Sequence, residues 1–258
     1  MAVRIVPLGS GSSGNAMLVE FGTRRLLVEA GLSARALGER LDAVGVAPSS
    51  LAAILVSHEH NDHARGLERF AVRARVPVVV APETLAALDL SPAHLPGWLP
   101  LEPGRTLDLG PVRVESFPVP HDAVRPVGFV LEGEGVRVGI ATDLGHATTL
   151  VVDRLGGCHV LVLESNHDDR MLQNGPYPWH LKQRVGGRMG HLSNEEAARL
   201  LERCAAECRA VVLAHLSERN NTPTLARDAA ARALERAGRK RVEMRVASAH
   251  RPSPGLFL

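Results

Sequence analysis

Lysine is almost missing from this chain: it stands only at Lys182 and Lys240, so nearly all positive charge is arginine. Arginine suits two-pronged phosphate contacts, but genome composition or a hot habitat produces the same bias, which therefore selects no partner. The formal net charge of +2 permits a polyanionic partner without requiring one. Cysteines number three, Cys158, Cys204 and Cys208, an odd count without zinc-knuckle spacing. Cys204 and Cys208 lie four apart in a helical pattern and read as buried thiols. No apolar run approaches the roughly 20 residues of a membrane span. The opening MAVRIVPLGSG lacks the charged start and long apolar core of a secretory signal. These absences argue against a membrane and place the protein in the cytoplasm.

What is present is ordinary for a globular enzyme: 258 residues, 45% hydrophobic and 22% charged. That length buries a large core in one domain, and with no repeat, low-complexity tract or linker we read residues 1–258 as a single unit.

The pattern opens with strands at 3–8, 16–21 and 24–29, the first two separated by the turn Gly-Ser-Gly-Ser-Ser-Gly-Asn. Such a turn tolerates positive φ and leaves backbone N–H groups free, so it can cradle an anion, although it lacks a P-loop lysine. Ser33 is placed to cap a helix to residue 44. Helices are expected at 66–75 and 82–88, a strand at 76–80, and loop over 91–103. Four strands follow between 106 and 141, then a helix at 148–155 and a strand at 158–163. A long polar connector from 165 to 193 leads to helix 194–207, strand 210–214, helix 222–237 and strand 242–246. Two β-rich halves, each followed by helices, predict a sheet-on-sheet core with helices outside.

The stretch around which all this is organised is Ser57-His58-Glu59-His60-Asn61-Asp62-His63. It follows an apolar run and precedes a helical pattern, so it is a loop at the carboxyl end of a buried strand, where α/β folds place chemistry. Imidazoles and a carboxylate this dense cost too much to serve as packing. His58 and His60, two apart, can close on one ion; Asp62 and His63 point differently and suit a second. Zn2+, Mn2+ and Fe2+ all accept such ligands. Three further residues end or follow strands: His121, Asp143 and His215. A lone histidine in such a place is commonly a surface residue. Three at equivalent positions beside this loop point to convergence at one site.

The order HxHxDH, His, Asp, His resembles the metallo-β-lactamase superfamily, with its αββα sandwich and two-metal site. By that resemblance His58, His60 and His121 hold one ion, Asp62, His63 and His215 the other, and Asp143 bridges them, leaving room for a bridging water. Asp62 and Asp143 thereby count as catalytic. Glu29 stands where the superfamily usually has Asp, and is expected to orient the histidine loop from behind with altered geometry. GSGSSGNA, TDLGH, LESNHD, NGPYPWHLKQR, GHLSN and HLSERNNTP together resemble the YycJ/WalJ group, small bacterial proteins similar to DNA exonucleases working from 5′ ends. No insertion of the kind found in long-RNA processing enzymes is apparent. The resemblance implies a phosphodiesterase acting on DNA. Alternatives are hydrolysis of a small ester, thioester or cyclic phosphodiester, or a metal-stabilised regulatory protein.

The connector carries Arg170, Lys182, Arg184 and Arg188, with Tyr177 and Trp179 between prolines and glycines, in a chain with one Tyr and two Trp. Aromatics among basic groups can stack a terminal base while arginines hold phosphates, or can staple the loop to the body. His167 and His191 flank the segment, as candidates to bind phosphate or protonate a leaving oxygen, or as anchors. Asn220 and Asn221 are candidates to orient the last ligand loop or donate to phosphate. Ser193 and Glu196 have capping-box spacing.

Overall fold

A computed structural model describes residues 3–258. The first seven-stranded sheet contains β1 (Val3–Gly9), β2 (Ala16–Phe21), β3 (Arg24–Val28), β4 (Ala53–Leu55), β5 (Val78–Val80) and β6 (Trp98–Pro100). The second contains β7 (Thr106–Leu109), β8 (Val112–Pro118), β9 (Val127–Gly133), β10 (Val136–Ala141), β11 (Val160–Glu164), β12 (Ala210–Ala214) and β13 (Glu243–Val246). A short β14 (Leu256–Phe257) returns to the first sheet beside β1, pairing Ile5 with Leu256. The strand orders are β14-β1-β2-β3-β4-β5-β6 and β13-β12-β11-β10-β9-β8-β7.

The helices are α1 (Ala34–Ala43), α2 (Asn61–Ala64), α3 (Leu67–Ala74), α4 (Pro82–Ala87), α5 (Thr149–Leu155), α6 (Asp169–Asn174), α7 (Trp179–Val185), α8 (Asn194–Cys204) and α9 (Pro223–Arg236). Their starts follow local chemistry. Ser33 accepts from Ala36 N, and Ser193 with Glu196 completes a capping box. Thr222 caps α9 with Pro223 in its first turn.

Three apolar clusters define the layers. Inner-face residues of both sheets, among them Ile5, Val19, Leu26, Val114, Phe129 and Val162, form one cluster. Leu27, Ile54 and Val78 on the outer face of the first sheet pack with Leu37, Leu41 and Phe70 of α1 and α3. Leu161, Leu163 and Val211 do the same with Leu155, Leu200 and Leu234 of α5, α8 and α9. Near-continuous apolar runs in β4, β5, β11 and β12 are the signature of strands covered on both faces. The result is the expected αββα sandwich. All three cysteines are buried and free.

Three local expectations are corrected. The stretch 91–103 is not all loop: Trp98–Pro100 adds a strand beside β5, and the Trp98 indole donates to Val80 O at 3.2 Å. The connector contains α6 and α7, helices too short for periodicity to signal. The histidine loop coils into α2 as soon as it passes His60.

β3 to β6 run parallel, as do β10 to β13. β8 shares the direction of β10 because both are antiparallel to β9. The carboxyl ends of β8, β10, β11 and β12 therefore share one edge of their sheet.

Candidate metal centre

Six strand ends supply the site. Glu29 follows β3, the histidine loop follows β4, His121 follows β8, Asp143 follows β10, Glu164 ends β11 and His215 follows β12. Glu29, Asp143 and His215 have φ of 67°, 55° and 54°, a region that non-glycine residues seldom adopt; each costs of order 1 kcal/mol and is retained where the fold over-determines it. Each is also at least nine-tenths buried. Gly31 and Gly145 allow the tight approaches that close the site: a Cβ on Gly31 would lie 1.6 Å from Asp62 O, and one on Gly145 2.2 Å from Arg188 O.

The side chains fall into two converging groups. In the first, His58 Nε2 is 3.1 Å and His121 Nε2 3.3 Å from His60 Nδ1. In the second, His215 Nε2 and His63 Nε2 lie 3.2 Å and 3.6 Å from Asp62 Oδ2. Asp143 stands between them, with Oδ1 3.7 Å from His121 Nε2 and 3.6 Å from His215 Nε2. Its Oδ2 is 2.9 Å from His63 Nε2, yet is buried without a hydrogen bond.

Burial holds the His58 imidazole well below its ordinary pKa, reinforced by His63, and lowers His121 as well. Ring nitrogens brought this close together, at 3.1 and 3.3 Å, are what a divalent cation satisfies. Burial opposes charge on His63, but the Asp143 and Glu29 carboxylates outweigh it and raise this ring well above the usual range. Burial likewise opposes charge on His215, yet Asp143 with the bonds to Asp62 and Glu164 pushes it up to about 10. Burial would raise Asp143, but the His215 and His63 charges hold it well below the carboxylate range. Excess proton at one group and an unpartnered carboxylate oxygen between both fit a site built for positive charge.

Residues behind the ligands orient them. Ser57 Oγ is 2.8 Å from His58 Nδ1, and His121 Nδ1 is 3.0 Å from Gly190 O. Glu29 Oε2 accepts from Ser57 N at 3.3 Å and lies 3.4 Å from His63 Nδ1, so the longer acid stands behind the histidine loop.

Glu164 was not singled out from sequence. It is fully buried, with Oε1 2.8 Å from His191 Nδ1 and 3.0 Å from His215 Nδ1. Its Oε2 accepts from Leu144 N and Leu192 N. Burial would raise this acid, but His191 and the bond to His215 take it down to about 2. The strand-end rule that selected Asp143 and His215 applies equally to β11, and would have found it. Asp122, beside His121, also went unmarked: its Oδ1 lies 3.3 Å from His121 Nε2, and its Oδ2 accepts from Arg184 Nε at 2.6 Å. That holds Arg184 at the rim of the first group with its side chain largely exposed.

In the glycine-rich turn the N–H groups of Ser10, Gly11, Gly14 and Asn15 are engaged within the protein, and the turn braces the second group. Asn15 Oδ1 accepts from Gly11 N, which turns its NH2 toward Asp62 Oδ2 at 3.3 Å and His63 Nε2 at 3.1 Å. Asn15→Ala is expected to weaken cation binding by Asp62, His63 and His215 roughly 10–100-fold, the usual cost of losing an outer partner. Competition against a chromogenic chelator measures it.

Of the other expected site residues, one reaches the cluster. His191 joins the cluster, 3.5 Å from Asp143 Oδ1. His167 is buried outside it, 3.8 Å from Asp169. Asn220 is fully buried, and Asn221 donates to Ser165 O and Asn166 O, so both brace the fold rather than face a phosphate. Lys182 Nζ donates to Gln173 O, tying α7 to α6. Tyr177 is half-buried in the turn between them, while Trp179 is exposed.

Residues 24–216 match the family model described as the beta-lactamase superfamily domain. The chain is 34% identical over 245 residues to exodeoxyribonuclease YycJ of Bacillus anthracis, covering 92% of this chain and 91% of that one. It is 34% identical over 229 residues to exodeoxyribonuclease WalJ of Streptococcus pneumoniae serotype 2, covering 85% and 83%. Among solved structures, the metallo-beta-lactamase fold protein YhfI from Bacillus subtilis superposes with TM-score 0.74 at 17% identity, over 98% and 99% of the two chains. Zn2+-bound PqqB from Methylobacterium extorquens gives 0.72 at 20% identity, over 99% and 100%. The two structures share the fold with this chain.

Proposed function

Because this chain belongs to the beta-lactamase superfamily and is a metal-dependent hydrolase of its YycJ/WalJ-like group, we propose that it is a DNA exonuclease that works from 5′ ends with two divalent ions, Zn2+ or Mn2+, with Fe2+ an equal fit to the donors. One observation carries the two-ion reading: Asp143 lies between two separate convergent groups, His58, His60 and His121 on one side and Asp62, His63 and His215 on the other. When bound, such a pair of ions supplies charge for the attacked phosphate and a water acidic enough to attack near neutral pH.

The chain's own residues do the rest. Ser57, Gly190, Glu29 and Glu164 each face the far nitrogen of a ligand histidine and so set ring orientation. His191 is the proton donor of this reading. Burial opposes its charge, but Glu164 raises its pKa, and with Nδ1 engaged by Glu164 it is Nε2 that carries the proton toward the leaving 3′-oxygen. Arg184, held by Asp122 at the rim, presents its exposed guanidinium edge to a backbone phosphate. The names of the curated relatives support DNA as the substrate.

The test is digestion of a linear duplex labelled at either the 5′ or the 3′ end, with Mn2+ or Zn2+. Early release of 5′ label as mononucleotides is expected. Early release from the 3′ end reverses the polarity. Intact DNA with every metal, together with turnover of a small ester or cyclic phosphodiester, overturns the reading.

A further inference from the structure

On the side of α7 away from Arg184 and Asp122, a cavity of about 240 Å3 opens between α6, α7 and the start of α8. We propose that it receives a single unpaired nucleobase of the DNA strand being degraded, an inference that rests on the exonuclease reading and adds a subsite to it. Its volume falls below the roughly 300 Å3 at which pockets begin to enclose whole small ligands, so one planar ring fits better than a complete nucleotide.

The lining suits a base. Trp179 stands at the cavity with 71% of its surface exposed, whereas the only other tryptophan, Trp98, is engaged with Val80 O. An indole left so exposed on a short helix gains little from packing, and it offers the flat face on which bases of any identity stack. Leu172, buried on α6, contributes an apolar wall. His167 also lines the cavity; it is nearly fully buried, and its Nδ1 has no hydrogen-bond partner. Gln183 adds a side-chain amide that can both donate and accept. Lys182 is tied to Gln173 O and closes the α6–α7 seam.

The cavity is coupled to the metal centre through the backbone. His167 bridges Ser193, Asn166 N donates to Leu192 O and Asn194 N to His167 O. The wall of the cavity thus runs directly beside His191. α7 itself has two faces, Arg184 toward Asp122 and Trp179, Lys182, Gln183 and Gly186 toward the cavity. A strand crossing α7 would leave a phosphate at Arg184 and a base at Trp179.

The test compares Trp179→Ala and Trp179→Phe with the parent enzyme on two metal-loaded digestions. One uses a duplex with a normal 5′-terminal nucleotide, the other a duplex abasic in its first two positions. Trp179→Ala is expected to raise KM roughly tenfold on the normal end with kcat nearly unchanged, from the usual stacking contribution. Trp179→Phe should restore most of it, and on the abasic end all three proteins should coincide. Equal KM for all three on the normal end, or the same loss on both ends, overturns the subsite while leaving the exonuclease reading intact. A second measurement needs no turnover: quenching of Trp179 fluorescence by a short 5′-phosphorylated single strand, in protein carrying Trp98→Phe. Quenching supports the subsite even if duplex DNA is never cut; unchanged fluorescence refutes it in either case.

Discussion

Asp143→Ala is expected to lower hydrolysis by about three orders of magnitude or more, roughly 4 kcal/mol of transition-state stabilisation, and to release bound metal. Among the described residues, Asp143 is the only carboxylate that reaches both convergent groups, at 3.6 and 3.7 Å through Oδ1 and 2.9 Å through Oδ2. Without it, His63 and His215 lose the anion that heads the opposition to their desolvation. Backbone strain is a separate effect, because Asp143 sits at φ 55°, a region that Asp and Asn tolerate better than Ala. Asp143→Asn keeps that tolerance and retains a neutral oxygen, so it isolates the charge. Both variants should lose activity, and the Asn variant should keep more of its thermal stability. Elemental analysis together with release of 5′ label measures the first effect, thermal unfolding the second. A variant that holds wild-type metal and cuts DNA within tenfold of the parent would refute the role.

The second large effect is expected at Glu164→Gln, a change of one atom. Glu164 Oε2 accepts two backbone N–H groups, from Leu144 and Leu192. A glutamine must keep its carbonyl there, since leaving both buried donors unmet costs about 1–3 kcal/mol each. Its NH2 then faces His215 Nδ1 and His191 Nδ1, where the carboxylate had faced them at 3.0 and 2.8 Å. His215 must now accept at Nδ1, which leaves the proton on Nε2, the atom that faces Asp62 and Asp143. A ring protonated there is no longer a ligand. Metal affinity of the second group should fall at least 10–100-fold.

The pH profile shifts with it. The Glu164 carboxylate raises the His191 pKa, so its removal lowers that pKa. If His191 donates a proton in its charged form, activity persists below its pKa and is lost above it. The alkaline limb of kcat/KM should therefore move to lower pH in Glu164→Gln at saturating metal. A limb that stays in place removes His191 as the proton donor. Metal loss without a pH shift would leave Glu164 as a positioning residue for His215 alone.

Much of the centre was legible because its chemistry is local in the chain. Four ligand candidates lie within the six residues His58 to His63, a density that ordinary packing does not explain. His121, Asp143 and His215 were reachable because a buried strand ending in a titratable residue is itself a pattern. Short-range rules also held for Ser33 and Ser193, whose caps need only the following turn. Local reasoning failed where a residue's partners are remote. Asn15 meets His63 across 48 positions, and Glu164 meets His215 across 51. Nor could it choose between the two roles open to Asn220 and Asn221, polar residues in a polar loop, because Asn221 meets Ser165 O and Asn166 O from 56 and 55 positions away.

The sequence by itself determined the residue types, their order along the chain and the alternation of strands and helices that dictates two covered sheets. The histidine loop supplies the imidazole and carboxylate groups that a cation accepts, and these are residue types read directly from the chain. Tertiary structure alone decided which of those groups share a cation and which stand behind them. Parallel pairing of β10, β11 and β12 places Glu164 between Asp143 and His215. Antiparallel pairing through β9 turns β8 so that His121 arrives at the same edge. Convergence arises from strand register, a property of hydrogen bonds between distant segments, and no window of the sequence contains it.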